Sequence, residues 1–156
     1  MDLNLTADDV AECIIALIAR NKLWAGKKVY AYFIANKTAG CFTNSHKSEI
    51  YKKFFTKTLD EVKDMPKCAA SASYRIFSTE YAGHAKDLTQ SVVAQLIATD
   101  DPQTESLIII AGGDGTSLEV QTALYKCAMD GPKHSNAVKN RITILRLPLG
   151  TGNDGT

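Results

Sequence analysis

Apolar positions along this chain switch between two spacings, one helical and one of short uninterrupted runs, and the switch recurs four times. Over residues 6–20, Val10, Ile14, Leu17 and Ile18 fall on one face at helical spacing. Thr6 stands where a hydroxyl accepts from the backbone N–H three residues on, and Asp9 where an acid complements the helix dipole, so a capped helix is predicted. Residues 29–35, Val-Tyr-Ala-Tyr-Phe-Ile-Ala, carry no charge and read as a first buried strand. A loop over 36–44 precedes a long helix over 45–64, with Tyr51, Phe55, Leu59 and Val62 on one side. Residues 65–73 form a connection broken by Pro66, and 74–78 a short second strand. A helix over 84–99 uses Leu88, Val92 and Leu96, and Asp100-Asp101-Pro102 ends it. The third strand is 107–111, followed by a helix over 117–129, a polar loop over 130–140 and a fourth strand over 142–147.

Strand and helix alternating in this way predict an α/β fold: a three-layer α/β/α domain with a mainly parallel sheet. Ligands of such sheets sit beyond the carboxyl ends of the strands. The loops over 36–44, 79–84, 112–117 and 148–154 each follow a strand, so the topology gathers them on one edge.

Composition narrows the picture. A chain of 156 residues, 45% hydrophobic and 22% charged, predicts one domain with a substantial core, and a helical extension over 1–26 precedes it. A net charge of +1 argues against a nucleic-acid footprint. The four cysteines form no CxxC pair, and no apolar run approaches the roughly 18 residues of a membrane span. A cytoplasmic, soluble protein is the expectation, with self-association left open. His46 and His134 make no metal-ligand pattern with any cysteine. Lys52, Lys53 and Lys57 read as a solvated helix face.

Chemistry concentrates in two glycine-rich turns. Gly112-Gly113-Asp114-Gly115-Thr116 follows the third strand, and Pro148-Leu149-Gly150-Thr151-Gly152-Asn153-Asp154 follows the fourth. Glycines let a backbone approach an anion without a Cβ in the way, and the N–H groups of such a turn point at negative charge. Two such loops predict a phosphate-handling cleft and make residues 27–156 a nucleotide-binding domain. A carboxylate beside phosphate needs a cation or a proton between them. Asp114 is therefore an indirect Mg²⁺ ligand, a hydrogen-bond partner of ribose or loop amide, a general base, or the cap of a structural turn. The chain stops two residues after Asp154, inside a loop that reads as functional, so a further domain is expected beyond it.

The two turns, taken with Asn36-Lys37-Thr38-Ala39-Gly40 after the first strand and Thr79-Glu80-Tyr81-Ala82-Gly83-His84-Ala85 after the second, resemble the diacylglycerol kinase catalytic domain family of diacylglycerol, sphingosine and bacterial lipid kinases. The resemblance covers residues 30–154. It implies ATP and Mg²⁺ as cofactors and a lipid hydroxyl, met at a membrane surface, as acceptor. Asn36, Thr38 and Gly40 would lie near the nucleotide, and Thr79 would contact it from the second loop. Gly112, Gly113, Gly115, Thr116 and Ser117 would hold the phosphates, and Thr151 would reach the ligand from the last loop. Asp114 and Asp154 would be the catalytic acids of a Mg²⁺-linked network. In that family a second, β-rich domain completes the lipid cleft.

Departures from the pattern are Lys37 where proline is usual, Leu118 where asparagine is common, and Gly155 in place of a bulkier apolar residue. Lys37 adds a charge that can reach phosphate. Glu119 reads equally as a member of the acidic network or as a dipole partner of its helix, and His84 as a structural hydrogen-bonder. Two other functions compete: an NAD kinase-like enzyme, whose sheet and glycine loop are similar, and a nucleotide-binding module without catalysis.

Overall fold

The computed structural model describes residues 4–149. Four strands, β1 (Lys28–Ala35), β2 (Ser71–Ser78), β3 (Thr104–Gly112) and β4 (Ile142–Pro148), form one sheet in the order β2-β1-β3-β4, and every pairing is parallel. The helices are α1 (Ala7–Arg20), α2 (Gly40–Thr43), α3 (Ser45–Val62), α4 (His84–Ala98), α5 (Asp114–Ala128) and α6 (Pro132–Arg141), with a 3₁₀ turn over Lys22–Trp24. The α/β architecture read from the sequence is thereby borne out.

The strand order fixes the layers. From β1 the chain steps sideways to β2, then returns across β1 to β3 and continues to β4. Crossovers between parallel strands are right-handed, so reversing the direction of travel moves the connecting helix to the other face. Helix α3 accordingly packs on one side with α1, where Val10, Cys13, Ile18, Trp24 and Phe55 meet Val29, Ala31, Phe33 and Ile109. Helices α4 and α5 pack on the other, where Val92, Val93, Val120 and Leu124 meet Ile34, Ile108 and Ile110. Alternate residues of β1 and β3 serve opposite cores, which is why both strands read as unbroken apolar runs.

The predicted cap of α1 closes in both directions. The Thr6 hydroxyl accepts from the Asp9 N–H at 3.2 Å, and the Asp9 carboxylate accepts from the Thr6 N–H at 2.8 Å. Lys52 of α3 adds an ion pair to Asp9 at 2.7 Å, tying the two helices of this layer together. Burial raises the Asp9 pKa, but Lys52 and Thr6 outweigh it and hold the carboxyl below its ordinary value.

Several boundaries differ from expectation, among them the third strand, expected over 107–111, which runs from Thr104 to Gly112. Residues 130–140, predicted as a polar loop, contain α6. Gly131 turns the chain at φ +118°, Pro132 occupies the first helical turn, and Ala137 and Val138 alone meet the core, too few apolar residues to register as a period. Helix α5 begins at Asp114 rather than 117, with Gly113 as its cap, so most of the glycine turn is helix. Strand β2 starts at Ser71, its exposed positions Ser71, Ser73 and Arg75 alternating with half-buried Ala72, Tyr74 and Ile76, the mark of an edge strand. The loop over 36–44 holds the short α2.

Candidate active site

The carboxyl edge of the sheet is pinned by backbone. Beyond β1, the Asn36 N–H donates to the Ala111 carbonyl at 3.0 Å, and beyond β2 the Thr79 N–H donates to the Ala35 carbonyl at 2.9 Å. Three strand ends are thus held in register where β1 and β3 send their following helices to opposite faces, the crevice in which open α/β sheets bind ligands.

Asn36 organises the first loop. Its side-chain carbonyl accepts from the Thr38 N–H at 3.0 Å and the Thr38 hydroxyl at 2.7 Å, and its backbone carbonyl accepts from Ala39 at 2.9 Å. Gly40, buried, then opens α2, and the Cys41 N–H donates to the Leu149 carbonyl at 3.1 Å, anchoring this loop to the chain after β4.

The glycines of the second loop have different reasons. A Cβ on Gly112 would stand 2.9 Å from Thr116 Oγ1 and 3.4 Å from Asn36 Cβ, so Gly112 lets β1 and the first turn of α5 close together. A Cβ on Gly113 or Gly115 would meet nothing within 4 Å. Neither has a positive φ, and Gly115 lies inside a helix, where glycine is unfavourable by about 1 kcal/mol relative to alanine. Packing and backbone conformation therefore leave these two glycines unexplained, and the open space above them is where an anion would approach the N-terminus of α5.

The first turns of α5 present four side chains in different directions. Thr116 faces Gly112 and the cleft. Ser117 is buried, its hydroxyl accepting from Gln121 Nε2 at 3.0 Å, beneath the cleft rather than in its lining. Glu119 accepts from the Gly83 N–H at 2.9 Å, fixing a glycine at φ +91° and joining α5 to the turn before α4. Asp114, more than half exposed, is ion-paired with Arg146 of β4.

These elements enclose a cleft of about 360 Å³. Asn36 and Thr38 line it from the first loop, Thr79, Glu80 and Tyr81 from the second, and Gly115, Thr116 and Glu119 from α5. Of the residues expected from the sequence, the structure brings Asn36, Thr38, Thr79, Gly115 and Thr116 together there, and Gly112 lies close against Thr116 and Asn36, while Gly113 and Asp114 are not in the lining. Thr151 and Asp154 lie outside the described residues. Lys37 lines a separate, more apolar cavity of about 470 Å³ on the α1 side, with Leu5, Phe42 and Ile76. His84 accepts from the Glu80 N–H at its Nδ1, 3.0 Å away, the structural role expected of it.

Sequence reasoning did not single out Tyr81 or Arg146. Arg146 had a signal, the one charge in the apolar run over 142–147. Among the described residues no group of three or more acidic, histidine or cysteine side chains could cage a metal. Asp114 is a single exposed carboxylate at the N-terminus of α5, and Mg²⁺ is commonly held by one or two carboxylates together with phosphate oxygens and waters.

An all-parallel sheet flanked by helices, with a crevice at its switch point, defines a three-layer α/β/α domain. The chain belongs to the diacylglycerol kinase catalytic domain family, whose model it matches over residues 31–156. It is a lipid kinase-like catalytic domain. Comparison with curated proteins gave no match.

Proposed function

We propose that this crevice binds ATP with Mg²⁺ and that the protein transfers the γ-phosphoryl group to a lipid hydroxyl of the diacylglycerol or sphingoid type. The observation that carries this reading is the cleft at the N-terminus of α5, lined by Gly115, where a Cβ would meet nothing within 4 Å, and by Thr38, Thr79 and Thr116. In the transfer, the lipid oxygen bonds to the γ-phosphorus as the bond to the bridging oxygen of ADP breaks, and the hydroxyl proton passes to a base. Such transfers depend on positioning and on neutralising charge. Mg²⁺ would supply that neutralisation at the phosphates. On this reading Asp114 and Asp154 form the acidic network around it, Asn36 and Gly40 shape the wall beside the nucleotide, and Thr151 reaches the ligand from the last loop. The acceptor is met at a membrane surface from the aqueous side. No helix among the described residues is long and apolar enough to cross a membrane.

Transfer of radiolabelled phosphate from ATP to diacylglycerol, sphingosine and mixed lipid extracts, with NAD as a control acceptor, tests this function. Labelled lipid that falls by orders of magnitude with Asp114→Asn is expected. Labelling of NAD alone would overturn the lipid acceptor.

A further inference from the structure

Resting on the nucleotide reading above, we propose that Tyr81 is the stacking platform for the nucleotide base, a residue that sets which nucleotides this cleft accepts. Tyr81 lines the same cleft as Gly115 and Thr116 and is 56% exposed. It is nonetheless held in place. Its ring lies on the imidazole of His84 with centroids 4.3 Å apart and planes 11° from parallel. Its hydroxyl donates to Asp87 Oδ2 at 3.1 Å, in the first turn of α4.

His84 is fixed in turn. The Glu80 N–H occupies its Nδ1, which places the neutral ring's proton on Nε2. The fold in the chain that lays Tyr81 over His84 is made at Gly83, whose φ of +91° favours glycine and whose N–H is bound by Glu119. One face of the phenol ring is covered by imidazole, so its exposed surface is the opposite face and the edges.

An aromatic side chain on a surface loop ordinarily gains little from three restraints. Here they pre-orient a flat apolar surface in a cleft that is also lined by Gly115 and Thr116 of the first turn of α5, where the helix dipole favours an anion. A nucleoside triphosphate has this pairing of features, an anionic chain and a planar base. Orientation fixed before binding lowers the entropy lost when the base stacks. Because every base has a π-face, a platform of this kind ranks nucleotides by stacking area rather than by hydrogen-bond pattern. ATP and GTP should bind comparably, and CTP and UTP more weakly.

The test titrates the chain and its Tyr81→Ala, Tyr81→Phe and Tyr81→Trp variants with ATP and with inorganic tripolyphosphate, each with Mg²⁺. Tyr81→Ala should weaken ATP by about tenfold to a hundredfold and leave tripolyphosphate unchanged. Tyr81→Phe, which keeps the ring, should stay within about threefold of the parent chain. Tyr81→Trp should bind ATP with quenching of the new indole. ATP affinity unchanged in Tyr81→Ala, with tripolyphosphate still bound, would overturn the platform and leave the nucleotide site standing. Failure of the parent chain to bind either ligand would overturn both.

Discussion

The guanidinium of Arg146 on β4 is ion-paired with the carboxylate of Asp114, the first residue of α5. Arg146 stands opposite Ile110 in the β3–β4 register, on the face of the sheet that α5 covers. A cation at a helix N-terminus opposes the helix dipole, and Asp114 offsets that repulsion. The pair therefore shapes the charge at the N-terminus of α5.

A double-mutant cycle of Arg146→Gln and Asp114→Asn should show a coupling of about 0.5–1 kcal/mol in denaturant unfolding, the range of a partly exposed pair. In nucleotide titrations the two single variants should diverge. Asp114→Asn should reduce the gain in ATP affinity that Mg²⁺ confers, while Arg146→Gln should weaken ATP most when Mg²⁺ is absent.

Gly112 and Gly113 should separate stability from binding. Gly112→Ala forces a Cβ to within 2.9 Å of Thr116 Oγ1 and should destabilise the chain by about 1–3 kcal/mol in urea unfolding. Gly113→Val adds its side chain to open space on extended backbone and should change stability by less than about 1 kcal/mol. It should nevertheless abolish ATP binding by calorimetry, because the added methyls fill the approach to α5.

The Thr6–Asp9–Lys52 cluster predicts a pH dependence. The folded Asp9 pKa lies below its unfolded value of about 3.9, so its stabilisation is fully present above that value and is lost as pH falls through the folded pKa. Unfolding free energies of the parent chain and of Asp9→Asn should differ near pH 6 and converge below about pH 3. Thr6→Ala should lower stability by about 1 kcal/mol at neutral pH.

Thiol chemistry should follow burial. Cys13, Cys41 and Cys127 are buried, and burial pushes the Cys41 thiol up to about 11. Cys68, half-buried, donates its Sγ hydrogen to the Arg20 carbonyl at 3.3 Å. At pH 8 a chromogenic disulfide reagent should modify Cys68 first and the other three on the timescale of unfolding, as mapped by mass spectrometry.

Elements whose apolar residues dominate their local pattern were legible in the sequence. The run from Leu107 to Ala111 is buried on both faces, and of the stripe expected on α1, Val10, Ile14 and Ile18 face one core while Leu17 is exposed. Helix α6 was not legible because Ala137 and Val138 suffice to seat a short polar helix already started by Gly131 and Pro132. The beginning of α5 was misplaced because Gly113-Asp114-Gly115 has the composition of a tight turn, whereas the open N-terminus lets a helix begin at Asp114. At the site, Thr38, Thr79, Gly115 and Thr116, which line the cleft, announced themselves as glycine and hydroxyls. Tyr81 did not, because its position depends on the left-handed turn at Gly83 folding the ring onto His84. The burial of Ser117 follows from the same shift in helix phase that places Asp114 in the first turn.

On the proposed reading a nucleoside triphosphate occupies the crevice between the ends of β1 and β3. Amide NMR spectra of the ¹⁵N-labelled chain, recorded as ATP with Mg²⁺ is added, test it most directly. The amides of Gly113, Gly115 and Thr116 should shift first, followed by Thr38 and Thr79 on the opposite wall. Shifts confined to α1 and to the cavity lined by Leu5, Phe42 and Ile76, or no shifts at millimolar ATP, would contradict it.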